Sequence, residues 1–314
     1  MKIAAIVVTY NRKELLAECM EAIIGQSYAV DEMILVDNAS TDGTYEYIME
    51  RKLIRDNVIY KRMETNLGGA GGFYTGIKCA YERGADWIWI MDDDTIPTPS
   101  ALEELISAIN VIKEANVSYL ASAVYGKSGE AMNVPDIDYS EEEGKYTDWY
   151  KYLNEGIVKI SRATFVSLLI CRNAIEKCGY PCKDYFIWGD DTEYTMRITK
   201  YYGKAYFIGK SVVVHKRNAA KPVFITDEEN VDRMKMHYYF VRNSLINTNE
   251  YNGRRARNRA IVSYIHVCWT ILLKKNNKAI KVKTVLKALA DYVFKKYDYE
   301  AFNKRFLLNG QEMR

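Results

Sequence analysis

The sequence predicts an α/β protein with a mixed, mostly parallel sheet that is flanked by helices. Short apolar, β-branched runs alternate with segments whose apolar residues recur at helical spacing. Such alternation is typical of a parallel sheet covered by helices on both faces. The chain has 314 residues, 48% of them hydrophobic and 27% charged, so it can bury a large core and has the composition of a folded protein.

The alternation is clearest at the start of the chain. We expect four strands separated by three helices, in the order KIAAIVVT, RKELLAECMEAII, EMILVD, TYEYIMERKL, VIYKRM, AGGFYTGIKCAYERG and WIWIMD. Ligands of such sheets bind at the carboxyl ends of the strands. A polar or glycine-rich segment follows each strand, in the order TYNR, DNAS, ETNLGGAGG and DDD. These segments are therefore expected to meet at one edge of the sheet.

The first two segments also have structural explanations. TYNR suits a helix N-cap, since Asn11 precedes a helical run, and DNASTDGT is rich in turn-forming residues. NLGGAGG suits close approach of the backbone to a phosphate at a helix N-terminus. It is neither a Walker loop, because it lacks GK[ST], nor a dinucleotide fingerprint. Their succession at consecutive strand ends, finishing in three aspartates, favours a site for a nucleoside diphosphate.

The aspartates Asp92, Asp93 and Asp94 follow the buried-strand pattern WIWIM. Like charges this close raise one another's pKa unless a cation or hydrogen bonds offset them. Carboxylate oxygens are hard ligands that suit Mg²⁺ or Mn²⁺. A divalent cation there would stabilise the charge on a departing β-phosphate. We therefore expect a site that binds both a metal and a diphosphate.

Two stretches carry a family resemblance. VVTYNR, ILVDNASTDGT, NLGGAGGF and IMDDDTIP together resemble the nucleotide-binding half of family 2 inverting glycosyltransferases of the GT-A fold. The segment 184–216, DYFIWGDDTEYTMRITKYYGKAYFIGKSVVVHK, resembles the acceptor half of the galactofuranosyltransferase-like branch. The resemblance implies a GT-A Rossmann-like domain over residues 1–253. Residues 1–100 would be its nucleotide-sugar-binding half and residues 101–253 its acceptor half.

The resemblance also implies roles for individual residues. Asp92, Asp94 and His215 would hold Mn²⁺ or Mg²⁺; a lone histidine is more often structural, but His215 follows the strand-like run SVVV. Asp191 would be the general base that deprotonates the acceptor hydroxyl, with Asp190 as the alternative. Crowded carboxylates have raised pKa values that suit proton transfer. The same acidic cluster also suits a helix N-terminus.

The remaining expected contacts line a nucleotide and sugar pocket. Trp188 is either a platform for an acceptor sugar or a core tryptophan. Arg242 and Asn243 either reach a phosphate or stabilise the fold, Arg242 through a salt bridge. The expected substrate-binding residues are Thr9, Asn11, Arg12, Asp37, Asn66, Gly68, Gly69, Gly71, Gly72, Asp92, Asp93, Trp188, Glu193 and Arg242.

Charge divides the chain near Gly253. Residues 254–314 carry 15 Lys+Arg against 4 Asp+Glu, a net +11, which leaves 29 against 37, a net −8, for residues 1–253. Basic clusters alternate with apolar helical stretches there, which predicts helices on an anionic membrane surface with Trp269 and Leu272 towards the acyl chains. Nucleic acid is the competing partner for a basic region, but the sequence has no recognised nucleic-acid motif.

The sequence also bears on location. The apolar run in MKIAAIVV is followed at once by TYNRKE, so it is too short for the core of a signal peptide and suits a first strand. The run AIVSYIHVCWTILL is too short and too polar to span a bilayer. The six cysteines form no CxxC pair and no zinc spacing, so we expect reduced thiols. We therefore expect a cytoplasmic protein that is peripheral at the inner face of the cell membrane.

The most specific function expected is metal-dependent, inverting transfer of galactofuranose from UDP-galactofuranose. The acceptor would be a polyprenyl-linked or polysaccharide glycan of the cell surface. A dTDP-rhamnose donor is the alternative within this class. A catalytically inactive nucleotide-sugar-binding scaffold is the alternative of another class. A nucleotidyltransferase with a similar core would need a basic N-terminal loop, of which the chain has only Arg12 and Lys13.

Overall fold

The structure is a computed structural model that describes residues 1–141, 144–217, 223–274 and 276–294. In this part of the chain all strands belong to one mixed sheet. The strands are β1 (Ile3–Thr9), β2 (Glu32–Asp37), β3 (Val58–Arg62), β4 (Trp87–Asp92), β5 (Thr95–Pro97), β6 (Val117–Tyr125), β7 (Ala131–Met132), β8 (Asp136–Ile137), β9 (Ile157–Arg162), β10 (Leu168–Cys171) and β11 (Lys204–His215).

Helices cover both faces of the sheet. They are α1 (Lys13–Ile24), α2 (Thr44–Glu50), α3 (Gly68–Glu82), α4 (Ala101–Val111), α5 (Arg172–Cys178), α6 (Asp190–Tyr201), α7 (Val231–Leu273) and α8 (Lys278–Val293). Apolar residues of α1, α2 and α4 pack in one core cluster, and those of α3, α5 and α6 pack in a second. Alternate residues of β1 enter one cluster or the other, so this strand is buried on both faces.

The strand order is β3-β2-β1-β4-β10-β6-β11-β9-β8, with β5 paired to β11 and β7 to β6. Strands β3, β2, β1 and β4 are mutually parallel, and β6 is parallel to β11. The antiparallel pairs involve β9, β10 and the short strands. The predicted α/β architecture is therefore confirmed, including all seven elements expected at the start of the chain.

The strand register gathers the predicted site residues. Thr9 lies beside Asp37, and Val8 lies beside Asp92, at the carboxyl ends of three parallel strands. The antiparallel pairing of β5 with β11 sets His215 opposite Thr95, the residue after Asp94. The end of a strand more than 100 residues later thus returns to the aspartate segment.

Helix α7 is interrupted at Gly253, whose backbone angles (φ 80°, ψ 175°) are not helical. The Ser244 and Tyr264 hydroxyl oxygens lie 2.6 Å apart. Twenty residues of a straight helix span about 30 Å, so the chain reverses at Gly253. We call residues 231–252 the first arm and residues 254–273 the second arm.

The two arms of α7 and helix α8 share a small apolar core. Their buried residues include Val241 and Leu245 of the first arm and Ile271 of the second. The predicted basic C-terminal region thus forms helices over its described part, and residue 275 and residues 295–314 lie outside the described residues. Across the described ranges, no helix has the length and apolar character needed to cross a bilayer.

Candidate active site

Three of the predicted metal ligands come together at the sheet edge. Asp92, Asp94 and His215 each offer a ligand atom, and these atoms all lie within 4.8 Å of one another. Asp94 and His215 are buried, and His215 Nε2 lies 3.0 Å from Asp94 Oδ1. Two carboxylates and an imidazole are a donor set that suits a divalent cation such as Mn²⁺ or Mg²⁺.

Asn133, between β7 and β8, orients the imidazole of His215. The Asn133 side-chain oxygen lies 3.0 Å from His215 Nδ1. An amide oxygen only accepts hydrogen bonds, so Nδ1 carries the proton and, in the neutral ring, Nε2 presents its lone pair to Asp94. Asp94 Oδ1 is buried and accepts no hydrogen bond of good geometry. This pair is satisfied either by an imidazolium proton or by a cation between the two atoms, so the residues fit a metal.

The middle aspartate has protein partners instead. Asp93 accepts hydrogen bonds from the Thr9 hydroxyl at 2.8 Å and from Arg12 at 3.2 Å. Arg12 also reaches Asp94 at 2.7 Å. Burial raises the pKa of Asp93 to about 6 although Arg12 opposes the rise. Burial and the charges of Asp94 and Asp93 raise the pKa of Asp92 well above its usual range. A single guanidinium therefore leaves this edge short of positive charge.

Asn11 links the first two strand-end segments. Its side chain accepts a hydrogen bond from the backbone N–H of Thr41 at 2.7 Å, and its own N–H donates to Ser40 Oγ at 3.0 Å. Helix α1 begins after Arg12 and has no side-chain cap. The N-cap explanation of Asn11 is therefore wrong, because its side chain bonds to another loop.

Asp37 is fully buried. One carboxylate oxygen accepts the backbone N–H of Ser40 at 2.8 Å, and the other accepts the Tyr60 hydroxyl. Both oxygens are thus engaged inside the protein, where they fix the end of β2. The expected contact of Asp37 with substrate stays a prediction.

The glycine-rich segment opens α3, but its glycines differ in role. A Cβ at Gly71 would overlap Leu67, and one at Gly72 would overlap Val8 of β1, so these two allow close packing. A Cβ at Gly69 would meet open space. Gly68 has a φ of +72°, and its N–H donates to the Asn66 side-chain oxygen at 2.7 Å. Only part of this segment is therefore free to approach a ligand.

The backbone carbonyl of Phe186 connects the glycine-rich segment to the loop that precedes the candidate bases Asp190 and Asp191. It accepts the Ala70 N–H at 3.1 Å, and a Cβ at Gly68 would overlap it. Residue 68 must therefore be small and left-handed because another loop occupies the space beside it.

The two candidate bases begin α6, after Gly189. Burial, and next the charge of Asp191, raise the pKa of Asp190 to about 8. Asp190 is close enough to Asp92 to raise that residue's pKa in turn. Burial also raises the pKa of Asp191, whose Oδ1 accepts the Thr192 N–H at 2.6 Å and which feels the charge of Arg162. The charge of Asp190 thus influences Asp92, one of the predicted metal ligands.

Two other predicted contacts have partners within the fold. Glu193 forms a two-pronged ion pair with Arg197 at 3.0 and 2.8 Å and accepts the Tyr251 hydroxyl. Arg242 is buried and donates to the backbone oxygen of Asp184 at 2.8 Å. Glu193 and Arg242 therefore hold α6, α7 and the intervening loop together, and their contacts with substrate stay predictions.

Trp188 is half-buried. Its ring centre lies 5.2 Å from that of His237 and 6.3 Å from that of Phe240. The indole thus has aromatic neighbours and still exposes part of its surface, so the geometry is compatible with stacking on a sugar.

Sequence reasoning missed Asn133 and Asn247, and for Asn243 it left open whether the side chain reaches a phosphate or stabilises the fold. Asn133 follows a two-residue strand and has a φ of 48°, so a turn was the only local signal. Asn243 and Asn247 lie within a helical pattern. Each contacts the site from a distant part of the chain, which local patterns do not reveal.

Comparison with known proteins agrees with this geometry. The Glycosyl transferase family 2 model matches residues 4–175, more than half of the chain. Galactofuranosyltransferase GlfT1 of Mycolicibacterium smegmatis is 38% identical over 117 residues, 37% of this chain and 38% of that protein. GlfT1 of Mycobacterium tuberculosis is 40% identical over 93 residues, 29% of each. The chain thus spans well under half the length of these relatives.

Solved structures support the fold. The S. aureus TarS 1–349 structure in complex with UDP has a TM-score of 0.53 at 14% identity, covering 95% of this chain and 93% of that one. At this identity the likeness concerns the fold alone. With the aspartate segment, the glycine-rich helix start and the family match in place, the chain belongs to glycosyl transferase family 2 and has the GT-A fold.

Proposed function

We propose that this protein transfers a sugar from a nucleoside diphosphate to a glycan acceptor with inversion at the anomeric carbon. The observation that carries the proposal is the Asp92, Asp94 and His215 cluster at the sheet edge, with the acidic start of α6 close enough to influence it. A transferase of this kind needs positive charge at the leaving group and a base for the attacking hydroxyl.

The leaving-group end is assigned to Asp92, Asp94 and His215. Bound there, Mn²⁺ or Mg²⁺ would supply the charge that stabilises the departing diphosphate. The chain's own residues prepare the site. Asn133 sets the His215 tautomer, and Arg12 holds Asp93 and Asp94 in place. Thr9, Asn11, Asn66 and the open Gly69 are the proposed walls for nucleotide and sugar.

The base is assigned to the carboxylate pair at the start of α6. Asp191 is the first candidate by resemblance, and Asp190 is the alternative whose charge reaches Asp92. The helix N-terminus stabilises the ionised form, whereas burial opposes it and strengthens the base. Attack from the face opposite the diphosphate needs no covalent intermediate. Trp188 would support the acceptor sugar.

The proposed donor is UDP-galactofuranose, with dTDP-rhamnose as the alternative. The name galactofuranosyltransferase, carried by the GlfT1 relatives, supports galactofuranose as the transferred sugar. The proposed acceptor is a polyprenyl-linked or polysaccharide glycan of the cell surface.

The proposed location is the inner face of the cell membrane, reached through the second arm of α7. Val262, Ile265, Trp269, Leu272 and Leu273 are all exposed, Trp269 by 65% and Leu273 by 85%. Their spacing places them within an arc of about 100° of the helix. Arg254, Arg255 and Arg259 begin the same arm and are exposed. An exposed apolar stripe beside arginines is typical of a helix on an anionic bilayer.

Vesicle flotation tests this location. Wild-type protein should float with vesicles of phosphatidylglycerol and phosphatidylcholine, more weakly as salt rises. The double variant Trp269→Ser/Leu272→Ser should remain in solution. Tyr139→Ser, an exposed aromatic change elsewhere, is the matched control. Concentration-dependent self-association that the double variant abolishes, without flotation, would instead make the stripe a dimer surface.

Calorimetry tests the transferase. UDP-galactofuranose, UDP-galactopyranose, dTDP-rhamnose, UDP-glucose and GDP-mannose are titrated with and without Mn²⁺. Metal-dependent binding of one donor supports the assignment. Asp191→Asn and Asp190→Asn are then compared, and the base is the residue whose loss abolishes transfer while donor affinity persists. Donor binding with no transfer to any glycan would favour the scaffold, and no binding at all would refute the metal–diphosphate site.

A further inference from the structure

The backbone that leads into α6 is unusual. Phe186 and Trp188 have φ values of 64° and 61°, and Gly189 has 92°. The left-handed conformation costs a non-glycine residue on the order of 1 kcal/mol or more. Two such residues within three positions persist only where the surroundings hold them. These residues directly precede Asp190 and Asp191.

The side-chain amide of Asn243, on the first arm of α7, holds this backbone. Its nitrogen donates to the carbonyl oxygens of Tyr185 at 3.0 Å, Ile187 at 3.2 Å and Trp188 at 2.7 Å. An amide has two N–H groups, so three carbonyls share them. Asn243 is fully buried, so water cannot replace it.

Asn247, one helical turn further on, holds the next peptide. Its nitrogen donates to the carbonyl oxygen of Gly189 at 2.8 Å, and its oxygen accepts the Tyr185 hydroxyl at 2.6 Å. Residues four apart lie on the same face of a helix. Side chains on one face of α7 therefore donate hydrogen bonds to four backbone carbonyl oxygens of residues 185–189, which lie more than 50 residues earlier in the sequence.

We propose that Asn243 and Asn247 are positioning residues for the catalytic carboxylate at the start of α6. They hold the backbone in the left-handed conformation that aims Asp190 and Asp191, and they set the distance from this pair to the donor. The inference rests on the proposed transferase function. It assigns a role to the end of the segment YYFVRN (residues 238–243) on the first arm of α7, which neither the metal site nor the donor site explains.

The loop of residues 185–189 also contacts the glycine-rich segment, which lies on the proposed donor side of the site. The Phe186 carbonyl, between the carbonyls that Asn243 binds, accepts the Ala70 N–H of the glycine-rich helix start. A displacement of the loop would move the base relative to the sugar. A misplacement of about 1 Å can cost about 100-fold in rate. Ground-state binding of the nucleotide at the strand ends would change far less.

The test uses the full-length protein and two variants. Asn243→Ala removes the donors to three carbonyls. Asn247→Asp keeps an acceptor for the Tyr185 hydroxyl but loses the N–H that holds Gly189. Asn249→Ala is the matched control, because Asn249 is on the same helix and its side chain instead accepts from Arg257 at 3.4 Å. Donor affinity with Mn²⁺, kcat, the pH profile of kcat/KM and Tm are measured for each.

We expect kcat to fall by about 100-fold in Asn243→Ala and by about 10-fold or more in Asn247→Asp. Donor Kd should stay within about threefold of wild type, and the acid limb of the pH profile should shift in both. Asn249→Ala should match wild type. If Asn243→Ala does not fold, Asn247→Asp decides the matter. Unchanged kcat and pH profile in a folded Asn247→Asp would overturn the proposal.

Failure of the underlying function has a different pattern. In that case wild type itself shows no metal-dependent donor binding, or Asp190→Asn and Asp191→Asn both transfer sugar at the wild-type rate. If wild type transfers sugar and the aspartate variants do not, the results for Asn243→Ala and Asn247→Asp test the positioning proposal alone.

Discussion

The proposed metal end and the proposed base end of the site are held in place by different means. Asp92 and Asp94 lie at the end of a buried parallel strand, and backbone pairing with β1 fixes where that strand ends. Asp190 and Asp191 follow a loop with three positive φ values, held by side chains of a distant helix. The metal end therefore depends on strand register, whereas the base end depends on a few hydrogen bonds across the fold.

Because their supports differ, the two ends should respond differently to single substitutions. Strand register is shared among many backbone hydrogen bonds, so no single side chain sets it. The base loop has few supports, and removal of one leaves buried carbonyls unsatisfied, at about 1–3 kcal/mol each. We expect a substitution at the metal end to affect only the ligand that it replaces. A substitution at the base end should instead act by moving the backbone that positions Asp190 and Asp191.

The largest effect should come from Asp94→Asn, which removes a metal ligand at the strongly held end. Transfer should fall by about 1,000-fold because the leaving diphosphate loses its charge partner. Fluorescent or calorimetric Mn²⁺ titration should show weaker binding, while Tm changes little because the strand remains paired. Asp56→Asn, an exposed carboxylate change, is the control. Full activity of Asp94→Asn would contradict the metal assignment.

Asn133→Gly should show whether the metal end also depends on a remote side chain. Glycine tolerates the φ of 48° at this position, so the change removes only the hydrogen bond to His215. Loss of such a partner typically weakens metal binding by about 10- to 100-fold. Asn133→Asp keeps an oxygen acceptor and should restore affinity. Equal Mn²⁺ affinity in wild type and Asn133→Gly would mean that the ring is held without Asn133.

Gly68→Ala should disturb both ends together, because a Cβ there would overlap the Phe186 carbonyl. With a φ of +72° as well, the cost should be about 1–3 kcal/mol, which lowers Tm by roughly 2–4 °C for each kcal/mol. Gly69→Ala is the matched control for Tm, since its Cβ meets open space and alanine favours a helix. Equal Tm values for Gly68→Ala and Gly69→Ala would contradict the idea that the contact between residue 68 and the Phe186 carbonyl supports both ends.

The smallest effect should be a change in how stability depends on pH. The pKa of Asp190 is about 8 in the folded chain, above its ordinary value of 3.8. Between about pH 4 and pH 8 the unfolded carboxyl loses its proton while the folded one retains it, so stability falls as pH rises. Asp190→Asn lacks this fall. In the presence of EDTA, Tm of the variant should gain steadily on wild type from pH 5 to pH 8, whereas parallel curves would contradict a raised pKa.

The sequence predicted the metal end far better than the base end. Short apolar, β-branched runs and apolar residues at helical spacing identified the strands and helices up to Asp92, and parallel strands bring their carboxyl ends together. The proximity of His215 was expected only through the family resemblance, because its pairing partner Thr95 lies 120 residues earlier.

The supports of the site were beyond sequence reasoning. Asn133, Asn243 and Asn247 act through hydrogen bonds to residues more than 50 positions away. An asparagine in a turn or a helix gives no local sign of such a partner. The internal partners of Asp37 and Glu193 were equally hidden, since nothing in their own segments points to Tyr60 or to Tyr251.

The Phe186 carbonyl has an evolutionary consequence. One backbone oxygen accepts the N–H of Ala70 and blocks any side chain at position 68. A lineage that replaced Gly68 would have to rebuild residues 184–189 at the same time, so the two segments are expected to diversify together or not at all. Substitutions should be tolerated more readily at positions away from this contact, such as Gly69, where a Cβ would meet open space.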